Sequence, residues 1–152
     1  MADVNCDMPD DLPVAGDDIL SGRELLFFAY RDYMSEPVDI LRKYEFGPAH
    51  HRVLHFVGRK PGMTVSELLA ILKITKQSLS RVLGALIRQG FIRQETGSAD
   101  KRQRLLYLTG KGVALEEEVS EPQRRRFARA YAEAGPAAVA GFTRLLTCLA
   151  DR

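Results

Sequence analysis

The sequence predicts a mainly α protein with a small β-hairpin, an α+β fold. Three observations carry this. Apolar residues recur at helical spacing through most of the chain, two short runs past its middle read as strands joined by a polar turn, and Pro and Gly pairs punctuate the boundaries. At 152 residues, 45% of them hydrophobic, the chain suits one compact domain or two small ones. It has no long apolar run, and its N-terminus lacks a signal-peptide core, so a cytoplasmic protein without a membrane span is expected.

Residues 1–18 hold six Asp, two Pro and no Lys or Arg, and read as a disordered acidic tail. A helix follows, with Leu25, Leu26, Phe27, Phe28, Ala29, Tyr30, Tyr33 and Met34 spread around much of its circumference, so burial on more than one side is expected. Pro37 is expected to kink or interrupt it. Gly47-Pro48 opens the next helix, whose core side is Val53, Leu54 and Val57, and Arg59-Lys60-Pro61-Gly62 ends it in a turn. Thr64 and Glu67 fit a capping box, Met63 and Leu68 a hydrophobic staple, and Val65, Leu68, Leu69 and Leu72 form one buried face. Lys73 and Ile74 separate this helix from the next N-cap, Thr75, so the turn is tight enough for a helix-turn-helix. Leu79, Val82, Leu83, Leu86 and Ile87 form the apolar stripe of the second helix, and Gly90 suits a left-handed C-terminal position.

Phe91–Thr96 and Gln103–Thr109 read as strands joined by Gly97-Ser98-Ala99-Asp100-Lys101-Arg102. A long charged helix starts near Lys111, and Pro122 is expected to bend or divide it. Phe127, Ala130, Tyr131 and Ala134 extend its apolar stripe, Gly135-Pro136 breaks the chain, and Val139, Phe142, Leu145, Leu146 and Leu149 line a last helix. The terminal helices carry more apolar surface than the central module needs, which points to a homodimer with a self-matching interface.

The second helix of the pair presents Lys76, Gln77, Ser80, Arg81 and Arg88 outward, with Ser78 near its start. Such a mixture suits a recognition helix, in which Arg and Lys donate to guanine edges or phosphates and Gln and Ser read base edges. The plainer reading of the helix alone is an ordinary solvated face. The ribbon and the charge decide between them. Residues 59–104 hold ten Lys or Arg against three acids, a net +7, while the whole chain is only +2. A locally basic module of this kind points to double-stranded DNA. The expected DNA-binding set is Thr75, Lys76, Gln77, Ser78, Ser80, Arg81, Lys101, Arg102 and Arg104. The organisation expected is a tail at 1–18, an N-terminal dimerisation helix at 19–46, a winged helix-turn-helix DNA-binding domain at 47–110 and C-terminal dimerisation helices at 111–152.

The residues from Phe46 to Gly112 resemble the MarR family of winged-helix transcriptional regulators. The resemblance rests on Val53-Leu54, Thr64-Val65-Ser66-Glu67-Leu68-Leu69, Ser78, Arg81, Val82 and Leu86, then Gln89-Gly90-Phe91-Ile92-Arg93, Asp100-Lys101-Arg102 and Leu108-Thr109-Gly110-Lys111-Gly112. It implies a homodimer whose first and last helices interlock, a pseudo-palindromic operator and a small-molecule effector. Within the family, Phe27–Asp32 and Ala49–Val57 are similar to PetP-type regulators. Ala99 stands where the family's wing-tip arginine is usual, which moves the expected weight of recognition to the helix beginning at Lys76. Asp100 is expected to orient a neighbouring arginine.

Phe28, Tyr30, Tyr33, His51 and His55 are the candidate effector-binding residues, although aromatics at this spacing also serve as core. His51 and His55 share a helix face, but no Cys or Glu completes a ligand set in the sequence, so neither a metal nor a cofactor is expected. Protonation of the His50, His51 and His55 cluster is a further route to regulation. Cys6 and Cys148 suggest no disulfide framework, Cys6 lies among acids that raise a thiol pKa, and Cys148 reads as core. No nucleophile–base pair, phosphate loop or paired carboxylates suggest an enzyme. The alternatives are a winged-helix protein-interaction module, or a redox-, metal- or haem-responsive regulator of the same fold.

Overall fold

The computed structural model describes residues 16–150. In chain order the elements are α1 (Gly16–Arg42), α2 (Pro48–Arg59), β1 (Met63–Thr64), α3 (Val65–Leu72), α4 (Lys76–Arg88), β2 (Ile92–Thr96), β3 (Arg104–Leu108) and α5 (Gly110–Leu149). The fold is mainly α with a small antiparallel sheet, as the periodicity predicts. The described residues divide into two compact units: 34–123, and 16–33 with 124–150.

The 34–123 unit holds the core. Leu41, Phe46, Val53, Leu54, Val57, Met63, Leu68, Leu79, Leu86, Phe91, Ile92, Leu106 and Val119 are among its buried side chains. Tyr44, Phe46 and Phe91 form an aromatic cluster, with Phe91 meeting each of the other two edge-on at 5.4 Å. The apolar stripes expected on α2 and α4 are the buried sides of those helices. The Thr64–Glu67 capping box is present: the Glu67 amide donates to Thr64 Oγ1 at 3.2 Å, and the Thr64 amide donates to Glu67 Oε2 at 2.7 Å. Lys60 donates to the same carboxylate at 2.6 Å. These partners, Lys60 first, hold the Glu67 carboxyl down at about 2.

The sheet has three strands in the order β1-β3-β2, one more than the expected ribbon. β1 pairs Met63 with Leu106 and Thr64 with Leu105, and two residues are too few to show alternation in a sequence. In the hairpin, Ile92 faces Leu108 and Thr96 faces Arg104.

The start of α5 clamps the end of α4. Thr109 Oγ1 donates to the Gly90 carbonyl at 2.6 Å and accepts from the Gly112 amide at 3.1 Å. Lys111 Nζ donates to the Gln89 carbonyl at 2.9 Å and sits 4.2 Å above the Phe91 ring. Carbonyls that α4 leaves unpaired at its C-terminal end thereby gain partners. Gly90, at φ 77, makes the left-handed turn expected of it.

Neither proline interrupts its helix: α1 runs on through Pro37, which is buried, and α5 runs on through Pro122. The break in α5 falls instead at Gly135, with φ 82 and ψ 168, at the expected Gly-Pro pair. α1 also begins at Gly16, so the last residues of the expected acidic tail are helical. The remainder of that tail lies outside the described residues.

In the other unit, α1 and α5 contribute a ring cluster. Phe127 meets Tyr33 at 5.6 Å and Tyr131 at 5.6 Å, both edge-on, and Phe142 lies 6.2 Å from Phe127. None of the buried hydrophobic side chains among the described residues belongs to this unit. Cys148 is exposed and disulfide-bonded, which corrects both its reading as core and the expectation of no disulfide. Cys6 lies outside the described residues. Among the described residues, no helix is long and apolar enough to cross a membrane.

Candidate nucleic-acid interface

The geometry of α4 begins at its cap. Thr75 Oγ1 accepts from the Ser78 amide at 3.1 Å and donates to Ser78 Oγ at 2.8 Å. Thr75 is therefore committed to starting the helix, while Ser78 keeps a hydroxyl proton to give. Leu79, Val82, Leu83 and Leu86 turn to the core, which forces Lys76, Gln77, Ser80, Arg81 and Arg88 to the exposed side.

Many basic side chains elsewhere have acidic partners. Arg31 pairs with Asp32, Arg42 with Asp39, Lys43 with Glu118, Lys60 with Glu67, Arg93 with Glu95 and Arg129 with Glu133. By contrast, the side chains of Lys76, Arg81, Arg88 and Lys101 have no hydrogen bond or salt bridge within the described residues. A solvated helix face that merely keeps a protein soluble gains from acids interleaved with bases, and α4 has none. Four cations without counter-charges suit a polyanion.

The wing arranges its own cations. The Arg102 amide and Nε both donate to Asp100 Oδ1, at 2.9 and 3.3 Å, so the acid orients the arginine as expected. Arg104 Nη1 donates to Thr96 Oγ1 at 2.9 Å across the hairpin. Arg93 lies over the Tyr107 ring at 4.4 Å, and with Glu95 as its ion partner it belongs to the ribbon's own structure.

The three histidines of α2 divide between two environments. His50 stacks on Phe46 at 4.5 Å and accepts from the Gly47 amide through Nδ1 at 3.1 Å, a bond that needs the neutral ring. Burial, and further the charge of Arg81 on α4, hold its pKa below the ordinary value. His51 is buried, with Nε2 3.3 Å from Ser120 Oγ. Ser120 gives its proton to Glu116 Oε1 at 2.6 Å, and His55 Nδ1 meets the same oxygen at 3.2 Å. Since the Ser120 proton is spent, His51 must donate through Nε2. Sequence reasoning missed Glu116 and Ser120, because nothing local places them opposite residues some sixty positions earlier. Among the described residues, no group of three His, Cys, Asp or Glu side chains is arranged to hold a metal ion. Tyr30 and Tyr33 lie 6.4 Å apart in the other unit, where Arg31 sits 5.0 Å over the Phe28 ring.

The MarR family model matches residues 44–103, the stretch from the loop between α1 and α2 to the residue before β3. Over 130 residues the chain is 50% identical to the HTH-type transcriptional regulator PetP of Rhodobacter capsulatus, covering 86% of this chain and 78% of that protein. The chain belongs to the MarR family of transcriptional regulators. A shorter match, 32% identical over 65 residues, joins it to the transcriptional regulator HosA of Escherichia coli O157:H7, covering 43% of this chain and 48% of HosA. Solved structures share this MarR-family fold. NadR in complex with 4-hydroxyphenylacetate superposes with a TM-score of 0.71 at 24% identity, covering 95% and 99% of the two chains. A mutant MarR from E. coli complexed with operator DNA superposes with a TM-score of 0.66 at 21% identity, covering 90% and 98%.

Proposed function

We propose that this MarR-family chain is a homodimeric, sequence-specific regulator of transcription that binds a pseudo-palindromic DNA operator and responds to a small-molecule effector. The observation that carries the reading is the outer side of α4, where Lys76, Arg81 and Arg88 stand without counter-charges among the described residues. In this reading Lys76, Gln77, Ser78, Ser80 and Arg81 enter the major groove, Thr75 sets the helix start, and Lys101, Arg102 and Arg104 follow the phosphates. Residues 47–110 form the DNA-binding domain, and 19–46 with 111–152 supply the dimer helices. The exposed apolar residues of α1 and of α5 beyond Gln123 support dimerisation, since among the described residues their unit buries no hydrophobic side chain. Phe28, Tyr30, Tyr33, His51 and His55 are the residues to test for an effector.

The test is selection of DNA fragments from the source genome by the purified protein, followed by gel-shift titration. Arg81→Ala is expected to lose specific binding while the protein stays a dimer by sedimentation, and unchanged operator affinity would sink its assignment. Arg102→Ala is expected to weaken all DNA about equally and to lower the salt dependence by about one phosphate contact.

A further inference from the structure

Gly84 stands in the interior of α4, where glycine lowers helix stability relative to alanine. Two ordinary reasons for a glycine are absent. Its backbone is helical, since the positive-φ glycines among the described residues are Gly62, Gly90 and Gly135. Nor does a neighbouring element crowd it: a Cβ built there meets one side chain within 4 Å, the Arg88 Nη1 at 3.2 Å. Gly112 shows the contrary case, with a Cβ only 2.0 Å from the Phe91 carbonyl oxygen.

Gly84 belongs to the outer stripe of the helix. Gln77, Arg81, Gly84 and Arg88 recur at spacings of four, three and four, opposite the buried Leu79, Val82, Leu83 and Leu86. At the helical rise, Gly84 lies about 4.5 Å along the axis from Arg81 and about 6 Å from Arg88. The Arg88 guanidinium lies back over the glycine, and it has no acidic partner within the described residues. A cation in the last turn suits the helix dipole, but that does not call for a glycine four residues earlier.

We propose that Gly84 is a notch in the DNA-facing side of α4: it seats the Arg88 guanidinium and lets the helix backbone come close to one DNA strand, whose phosphate Arg88 holds. This rests on the reading of α4 as the recognition helix. Gly84 is a positioning residue and Arg88 the contacting one. The planar fork of the guanidinium matches two phosphate oxygens when its plane is held, and a methyl group at position 84 displaces that plane. In the free protein the arginine tip can move aside. Bound to phosphate it cannot, so the cost falls on the complex.

The test compares Gly84→Ala, Arg88→Ala and the double variant, using the duplex that the wild-type protein recovers from a random-sequence library. Gly84→Ala is expected to melt no lower than wild type, yet to bind about tenfold more weakly, with its salt slope kept because no charge is lost. Arg88→Ala is expected to lose about one unit of salt slope. In the Arg88→Ala background the Gly84→Ala effect should shrink, because the two groups act together. Wild-type affinity in Gly84→Ala, a lower melting temperature for it, an unchanged slope in Arg88→Ala, or additive effects would each overturn the proposal. If the wild-type protein recovers no sequence, the reading of α4 itself falls, and this proposal with it.

Discussion

Gly112 is the point at which the first turn of α5 meets the end of α4. A Cβ there would lie 2.0 Å from the Phe91 carbonyl oxygen, a backbone atom that cannot swing away. The same carbonyl accepts the Thr109 amide at 3.0 Å, so shifting it also strains the clamp formed by Thr109 and Lys111. Gly112→Ala is therefore expected to destabilise the protein by about 1–3 kcal/mol, the usual cost of overpacking. Equilibrium urea unfolding checks this, and an unchanged midpoint would contradict the contact. Ala99 and Asp100 make a related point about single positions. With alanine at the wing tip, Arg102 is a cation of the wing held by Asp100, through both its amide and its Nε.

α2 carries a stability that depends on pH. His51 is held below the ordinary imidazole value of 6.5 by burial, with the Glu116 charge partly opposing that. The folded state thus binds fewer protons than the unfolded chain once the pH falls below the unfolded value. The stabilisation is fully present above about 6.5 and is lost as the pH drops toward the lowered folded value, and His50 contributes with the same sign. His51→Gln keeps a donor for Ser120 but cannot titrate. Urea midpoints measured between about pH 7.5 and about pH 5 should fall for wild type and fall less steeply for His51→Gln. Parallel curves for the two proteins would show that His51 does not titrate differently on folding.

The 34–123 unit buries a core, while the described part of the other unit buries no hydrophobic side chain. Leu25 and Leu149 remain 64% and 63% exposed, and Phe27 63%, which is costly for helices of this apolar content unless another surface covers them. The proposed homodimer supplies that surface with a two-fold match, and the two-fold of a pseudo-palindromic operator follows from it. Introducing a charge with Leu25→Glu and Phe27→Glu is expected to halve the mass measured by sedimentation and to weaken operator binding in parallel. A doubly substituted protein that still sediments as two chains would place the interface elsewhere.

The starts of α2, α3 and α4 were legible because capping is local chemistry. Thr64 with Glu67, Thr75 before Ser78, and Gly47-Pro48 act over three or four residues, and the apolar stripes then say which side of each helix is free. The exposed side of α4 and the basic ribbon followed from that. The remaining features depend on partners distant along the chain. β1 exists because Met63 and Thr64 meet Leu106 and Leu105 on β3. Pro37 and Pro122 do not end their helices, because the fate of a proline is set by what surrounds the flanking turns. Glu116 and Ser120 complete the histidine chain only when α5 lies against α2. Gly112 and Gly84 look alike in the sequence, and the neighbours that folding brings to them separate a glycine required by packing from one that meets only the tip of the Arg88 side chain. Short-range hydrogen bonding and periodicity can be read in one dimension. Steric contact between distant segments is created only when the chain folds.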